Sequence, residues 1–252
     1  MVASSVLPYA IYSLGTGVFE WKSAGAIVVL AALPALWYVV LGANAAADAG
    51  FLLLMAAPIL LKIFHDLYDD PMPRLQLHVL GTMMWYRTGI IAVLSLRRMQ
   101  GIGFSFIPKR REWRIGVRNY LLFLPVGIAF AIGIGFVRPG VVAVNWQTLA
   151  IACATFIITL WVLAAAEEFF FRGLLQQLLT RKLGMETLSI VLASAIFGAA
   201  HLGFRDFPNW KFALLATCAG LFYGRAYAQA GSVRAAMVTH ALVVTTWRVF
   251  LV

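Results

Sequence analysis

Glu167 and Glu168 stand side by side in AAAEEFFFRG, residues 164–173, after a long apolar run and before three phenylalanines and Arg172. A carboxylate in such surroundings costs free energy unless it is paired or put to use. On a helix, Glu168 and Arg172 are four apart, share a face and can pair. Glu167 is turned about 100° away from Glu168 and stays free for other work. Two further ionisable side chains, His201 and His240, interrupt apolar segments. Ionisable groups at membrane depth usually face the bundle interior and mark a functional site. The ordinary alternatives are charges at a helix end, with Arg172 reaching the interface, and histidines bonded to backbone carbonyls.

Spacing bears on whether these groups meet. Gly184, in TRKLGMET, is a turn signal between two apolar segments. Glu167 lies 17 residues before it and His201 17 residues after it. In an antiparallel helical hairpin both would stand about 25 Å from the turn, at one level. His240 follows Gly231, the next turn signal, by nine residues, or about 14 Å. The levels agree if the first hairpin projects further from the membrane. A helix running from about 149 to 182 exceeds one membrane thickness and would protrude at Arg181 and Lys182.

The elements that carry these residues are transmembrane helices. The chain is 62% hydrophobic and 12% charged, with a mean hydropathy of +0.88. A soluble domain is about half apolar and a quarter charged. Apolar segments at 23–43, 50–64, 76–96, 117–137, 149–171, 186–204, 210–229 and 233–252 predict an all-α, polytopic bundle of about eight transmembrane helices. Residues 5–19 are apolar but short and end at Glu20, which suits an interfacial or re-entrant start. The expected organisation is N-terminal helices with a basic connector over 1–116 and a core over 117–252. No internal repeat is visible, which counts against a transporter.

The net charge of +10 would suggest nucleic acid in a soluble protein. Here Arg97, Arg98, Lys109, Arg110, Arg111, Arg114 and Arg118 concentrate the excess, so a 97–116 loop on the cytoplasmic face, against anionic lipid, is expected instead. The lipid bilayer is then the partner, not nucleic acid. The 65–75 loop, with Asp66, Asp69 and Asp70, would lie on the opposite side. Arg87 sits mid-span, where it could pair with a glutamate or a substrate carboxylate, or simply snorkel. Cys153 and Cys218 show no disulfide or metal-binding spacing, and the N-terminus lacks the basic region of a signal peptide.

Glu167-Glu168-x-x-x-Arg172 resembles the EExxxR motif of the CPBP (Abi) intramembrane proteases, which include the type II CAAX prenyl endopeptidases. Phe197-Gly198-Ala199-Ala200-His201 resembles their FxxxH motif, and His240 matches the histidine of their third motif. The resemblance covers about 160–245. One position departs: the third motif has Asn or Asp four residues after its histidine, and this chain has Val244. Thr239, Thr245 and Thr246 are the nearby hydroxyls that could substitute.

The resemblance implies hydrolysis of a peptide bond near the C-terminus of a membrane-embedded or lipidated protein or peptide. Glu167 with His201 would hold and deprotonate the attacking water, and His240 would donate to the oxyanion. Glu168 and Arg172 would fix the helix and its field, and Phe197 would pack beside His201. It implies an integral protein of the bacterial cell membrane, of glutamate type and without a cofactor. If a metal is used, zinc on Glu167, His201 and His240 is the alternative. The alternative function is a non-catalytic membrane adaptor or immunity protein of the same family, which Val244 would favour.

Overall fold

The computed structural model describes residues 1–69, 76–137 and 143–251; Asp70 of the 65–75 loop lies outside them. The described residues form helices and no strands, as the composition requires. The helices are α1 Val2–Thr16, α2 Trp21–Val40, α3 Ala45–Leu60, α4 Ile63–Leu67, α5 His78–Arg97, α6 Arg110–Gly133, α7 Trp146–Leu183, α8 Glu186–Ala200, α9 Trp210–Ala230 and α10 Val233–Phe250. Four of them, α2, α5, α6 and α7, are long and apolar enough to cross a membrane by themselves, and α3 and α8 are shorter apolar helices. The protein is an integral membrane helical bundle. The apolar stretch at 5–19 is helix α1.

The chain divides into two compact units, Met1–Met99 and Gln100–Val252. In the first, two arginines are tied to partners within the unit. Arg97 makes a two-pronged contact with buried Asp48, at 2.8 and 3.0 Å. Arg87 donates to the Ser4 hydroxyl at 2.7 Å and to the Ser4 carbonyl. The mid-span arginine thus binds α5 to α1 and forms no ion pair among the described residues.

The second unit carries Glu167, Glu168, Arg172, His201 and His240. Its basic stretch is not the loop expected at 97–116: helix α6 already starts at Arg110. Glu112 explains the early start, accepting from the Lys109 backbone N–H at 2.5 Å and from Arg234 at 2.7 Å. A first-turn carboxylate satisfies a free helix N–H and opposes the helix dipole. The remaining connector lies on the bundle. The Ile102 carbonyl accepts from Val233 N–H, Gly103 from the Ser232 hydroxyl and Gly101 from the Tyr227 hydroxyl. Gly103 has φ +65°, and a Cβ there would strike the Ser232 backbone.

Helix α7 runs 38 residues without a break, about 57 Å, nearly twice the roughly 30 Å hydrocarbon core. It ends at Gly184 in the left-handed conformation, and α9 ends the same way at Gly231. Both expected turns are therefore present. Two wider π-helical stretches, Thr159–Ala164 and Phe169–Gln176, flank the two glutamates. Such widenings are rare and cluster at functional sites. Helix α8 is shorter than the 186–204 span expected for it. It stops at Ala200, so His201 sits just past its last turn.

Helices α7, α8 and α9 approach closely because small residues face one another. A Cβ on Gly198 would collide with the Thr217 hydroxyl and the Ala213 carbonyl. One on Gly220 would press on Ser194 and on the Arg172 guanidinium. Close backbone contact of this kind replaces the hydrophobic drive that lipid removes. Gly198→Leu is expected to lower stability by about 1–3 kcal/mol or more by overpacking. Gly133→Ala, with nothing within 4 Å of its new methyl, is expected to be neutral or slightly stabilising. Thermal unfolding of both variants in detergent measures the contrast.

Candidate active site

The site is organised by Glu168, whose side chain is completely buried together with that of Arg172. Its two oxygens have different partners. Oε2 accepts from Arg172 Nε at 3.0 Å, the i,i+4 pair expected from the spacing. Oε1 accepts from Nδ1 of His240 at 2.7 Å. A carboxylate paired with a guanidinium only accepts, so His240 must carry its hydrogen on Nδ1. That leaves Nε2 facing Glu167, 3.9 Å from its Oε2. The separation is too long for a hydrogen bond, yet short enough for both atoms to reach one common oxygen at about 2.8 Å.

Glu167 behaves differently from its neighbour. Its side chain is 15% exposed, and Oε2 is buried without a hydrogen-bond partner among the described residues. A buried unpartnered oxygen costs roughly 1–3 kcal/mol and calls for an explanation.

His201 is fixed by its own helix: Nδ1 lies 2.7 Å from the Phe197 carbonyl, four residues back. A carbonyl can only accept, so here too Nδ1 carries the hydrogen and Nε2 keeps a lone pair in the neutral ring. The Phe197 ring packs on His201, 4.5 Å between centroids, and edge-on to His240 at 6.0 Å. It does what FxxxH suggested and more, touching both imidazoles.

One neighbour was not foreseen. Tyr223, on α9, stacks flat on His240, at 4.6 Å and 11°. The Arg172 guanidinium lies over Phe197 and Tyr223, 5.2 and 5.9 Å from their centroids. Nothing in LFYGR marks that tyrosine, because its role depends entirely on which helix lies beside α10.

Glu167, His201, His240, Phe197 and Tyr223 all line one cavity of about 220 Å³. Val244 lines it too. Two of the threonines considered as its replacements spend their hydroxyls on backbone carbonyls: Thr239 on Gly116 and Ala235, Thr245 on Ala241. Thr246 instead meets the Tyr120 hydroxyl at 2.8 Å, and both residues line the cavity.

The zinc alternative can be tested on this geometry. Among the described residues, no three His, Cys, Asp or Glu side chains are arranged to hold a metal ion. Glu167, His201 and His240 as they stand do not fit a zinc centre.

Residues 146–246 match the family of type II CAAX prenyl endopeptidases, Rce1-like. The match runs from the first residue of α7 into the last turns of α10 and contains all five candidate residues. The match supports assigning this part of the chain to the CPBP (Abi) family, whose motifs it resembles. No curated protein and no solved structure matches the chain.

The ion pair and the free carboxylate predict opposite responses to mutation. Arg172→Met strips a buried carboxylate of its counter-charge and is expected to destabilise by about 3–5 kcal/mol. Glu167→Gln removes an oxygen that has no partner and is expected to leave the unfolding midpoint at or slightly above that of the native chain. Denaturation in detergent, followed by circular dichroism, checks both.

Proposed function

We propose that the chain is an intramembrane endopeptidase, hydrolysing a peptide bond near the C-terminus of a membrane-embedded or lipidated protein or peptide. The observation that carries this is the division of labour between adjacent glutamates. Glu168 is fully engaged by Arg172 and His240. Glu167, one residue earlier, lines a cavity with His201 and His240 and keeps its Oε2 without a hydrogen-bond partner among the described residues.

In the proposed reaction Glu167 takes a proton from water, and His201 Nε2 accepts the second O–H and aims the oxygen. The resulting hydroxide adds to the scissile carbonyl carbon, and the carbonyl oxygen becomes an oxyanion. His240 in its imidazolium form donates from Nε2, while Nδ1–H stays on Glu168. With that proton in place, the charges of Glu167, Glu168, Arg172 and His240 sum to zero, which suits a water-poor interior. Collapse of the intermediate breaks the C–N bond, and Glu167 passes its proton to the leaving nitrogen. The immediate products are a carboxylic acid and an amine, and transfer of the acid's proton to the amine leaves a carboxylate and an ammonium. In this reading Arg172 is a positioning residue: it acts through Glu168, which orients His240.

Thr246 with Tyr120 is the hydroxyl pair left to serve the oxyanion where the family has Asn or Asp. The reading places the protein in a bacterial cell membrane, with Arg110, Arg111, Arg114 and Arg118 toward the cytoplasm. The positive-inside bias supports that orientation.

Purified protein in detergent, presented with a library of apolar C-terminal peptides, tests the proposal. Glu167→Ala is expected to lower cleavage by about 10²–10⁴-fold, the range of a general base. His240→Ala should lower it by about 10²–10³-fold, as for loss of an oxyanion donor. Chelator treatment is expected to leave the rate unchanged. Cleavage that survives Glu167→Ala rejects the catalytic assignment, and no cleavage by the native chain leaves the non-catalytic adaptor as the reading.

A further inference from the structure

The cavity that contains Glu167, His201 and His240 continues along α10 to Trp247 and Arg248. The indole of Trp247 is held among three aromatic rings: Phe212 at 5.7 Å, Phe136 at 6.1 Å and Phe204 at 6.2 Å between centroids. Two guanidiniums lie against this fixed ring, Arg248 at 5.8 Å and Arg205 at 6.0 Å. Arg205 also stands over Phe204, at 5.4 Å.

Both arginines are exposed, and neither is in an ion pair with a carboxylate among the described residues. Arg205 is held there against its own backbone preference. Its φ is +63°, a conformation that costs an ordinary residue roughly 1–3 kcal/mol and persists only where surroundings impose it. The imposing contacts bridge its loop: the Asn209 N–H donates to the Leu202 carbonyl at 2.8 Å, and the Asn209 side chain to the Phe204 carbonyl at 3.0 Å. Two like charges against one indole, neither of them ion-paired among the described residues although Asp206 follows Arg205 in the chain, offer a receptor for an oxyanion. The guanidinium fork matches a carboxylate in both shape and charge.

We propose that Arg205 and Arg248 form an anion subsite at the mouth of the cavity, which takes the C-terminal carboxylate of the peptide substrate. The identity of the ligand rests on the hydrolase reading above. Arg248 follows His240 by eight residues on the same helix, about 12 Å along its axis. An extended peptide advances about 3.3 Å per residue, so a few residues bridge the reacting carbonyl and the subsite. A lipid phosphate has similar chemistry, but it would meet the arginines from the membrane surface. Only a ligand inside the cavity reaches Arg248 and His240 together, which favours the peptide.

The test is binding to the full chain carrying Glu167→Gln, in phosphatidylcholine nanodiscs. The probes are two alanine- and leucine-rich decapeptides with N-terminal fluorescein, identical except that one ends in a carboxylate and the other in a carboxamide. Anisotropy is expected to show the carboxylate bound about tenfold tighter or more. Arg248→Gln and Arg205→Gln should each reduce that preference, with affinity for the carboxamide unchanged. Arg248→Lys should retain part of it, and unchanged unfolding midpoints show that the variants fold. Equal affinity for the two peptides, no binding of either, or a preference that survives the double substitution overturns the subsite. If added phosphatidylglycerol abolishes the preference, the pair is a lipid site and the carboxylate proposal falls. Because the readout is binding, a preserved preference without cleavage by the native chain would sink the hydrolase reading alone.

Discussion

Glu168 cannot be left with one partner. It is a fully buried carboxylate in a membrane protein, where an isolated charge is among the costliest groups to keep. Arg172 neutralises it from the next turn of the same helix, and His240 reaches its other oxygen from α10. The local pair compensates the charge. The long-range bond turns that compensated charge into a device that sets an imidazole. Because Glu168 only accepts, the tautomer and tilt of His240 follow from it, and so does the direction in which Nε2 points.

The rest of the second unit reads as support for that arrangement. Tyr223 closes one face of His240, while Phe197 packs on its edge. Arg172 is held beneath both aromatic rings, and Gly220 leaves it room. The connector before α6 is bonded along the start of α10 and packs Phe104 on Phe169, one residue after Glu168. These contacts cost little flexibility because they join residues already fixed in helices, which is what a preorganised polar site requires.

Adjacent glutamates make the logic economical. A step of one residue rotates the side chain by about 100°, enough to send Glu168 into the dry packing between helices and Glu167 to the cavity wall. One residue spends its charge on structure. The other keeps an oxygen uncommitted, 3.9 Å from His240 Nε2 and on the wall of a cavity that His201 also lines. The π-helical stretches on either side of the pair show that α7 departs from regular geometry where these two residues sit.

Composition and spacing alone determined a good deal: a helical membrane protein, the turns at Gly184 and Gly231, the Glu168–Arg172 pair and the freedom of Glu167. These follow from periodicity and from short-range geometry, which act within a few residues. Helix ends were less legible. The early start of α6 depends on Glu112 meeting Arg234 from another helix, and α8 stops where His201 bonds back to Phe197. Only the tertiary structure decided that Glu168 also holds His240, that Tyr223 covers it, that Arg87 ends on Ser4, and that Arg205 and Arg248 share one indole. The reason is physical. A membrane helix advertises its apolar length in its sequence, but the rotation that sets which polar atom meets which comes from packing against neighbours distant in the chain.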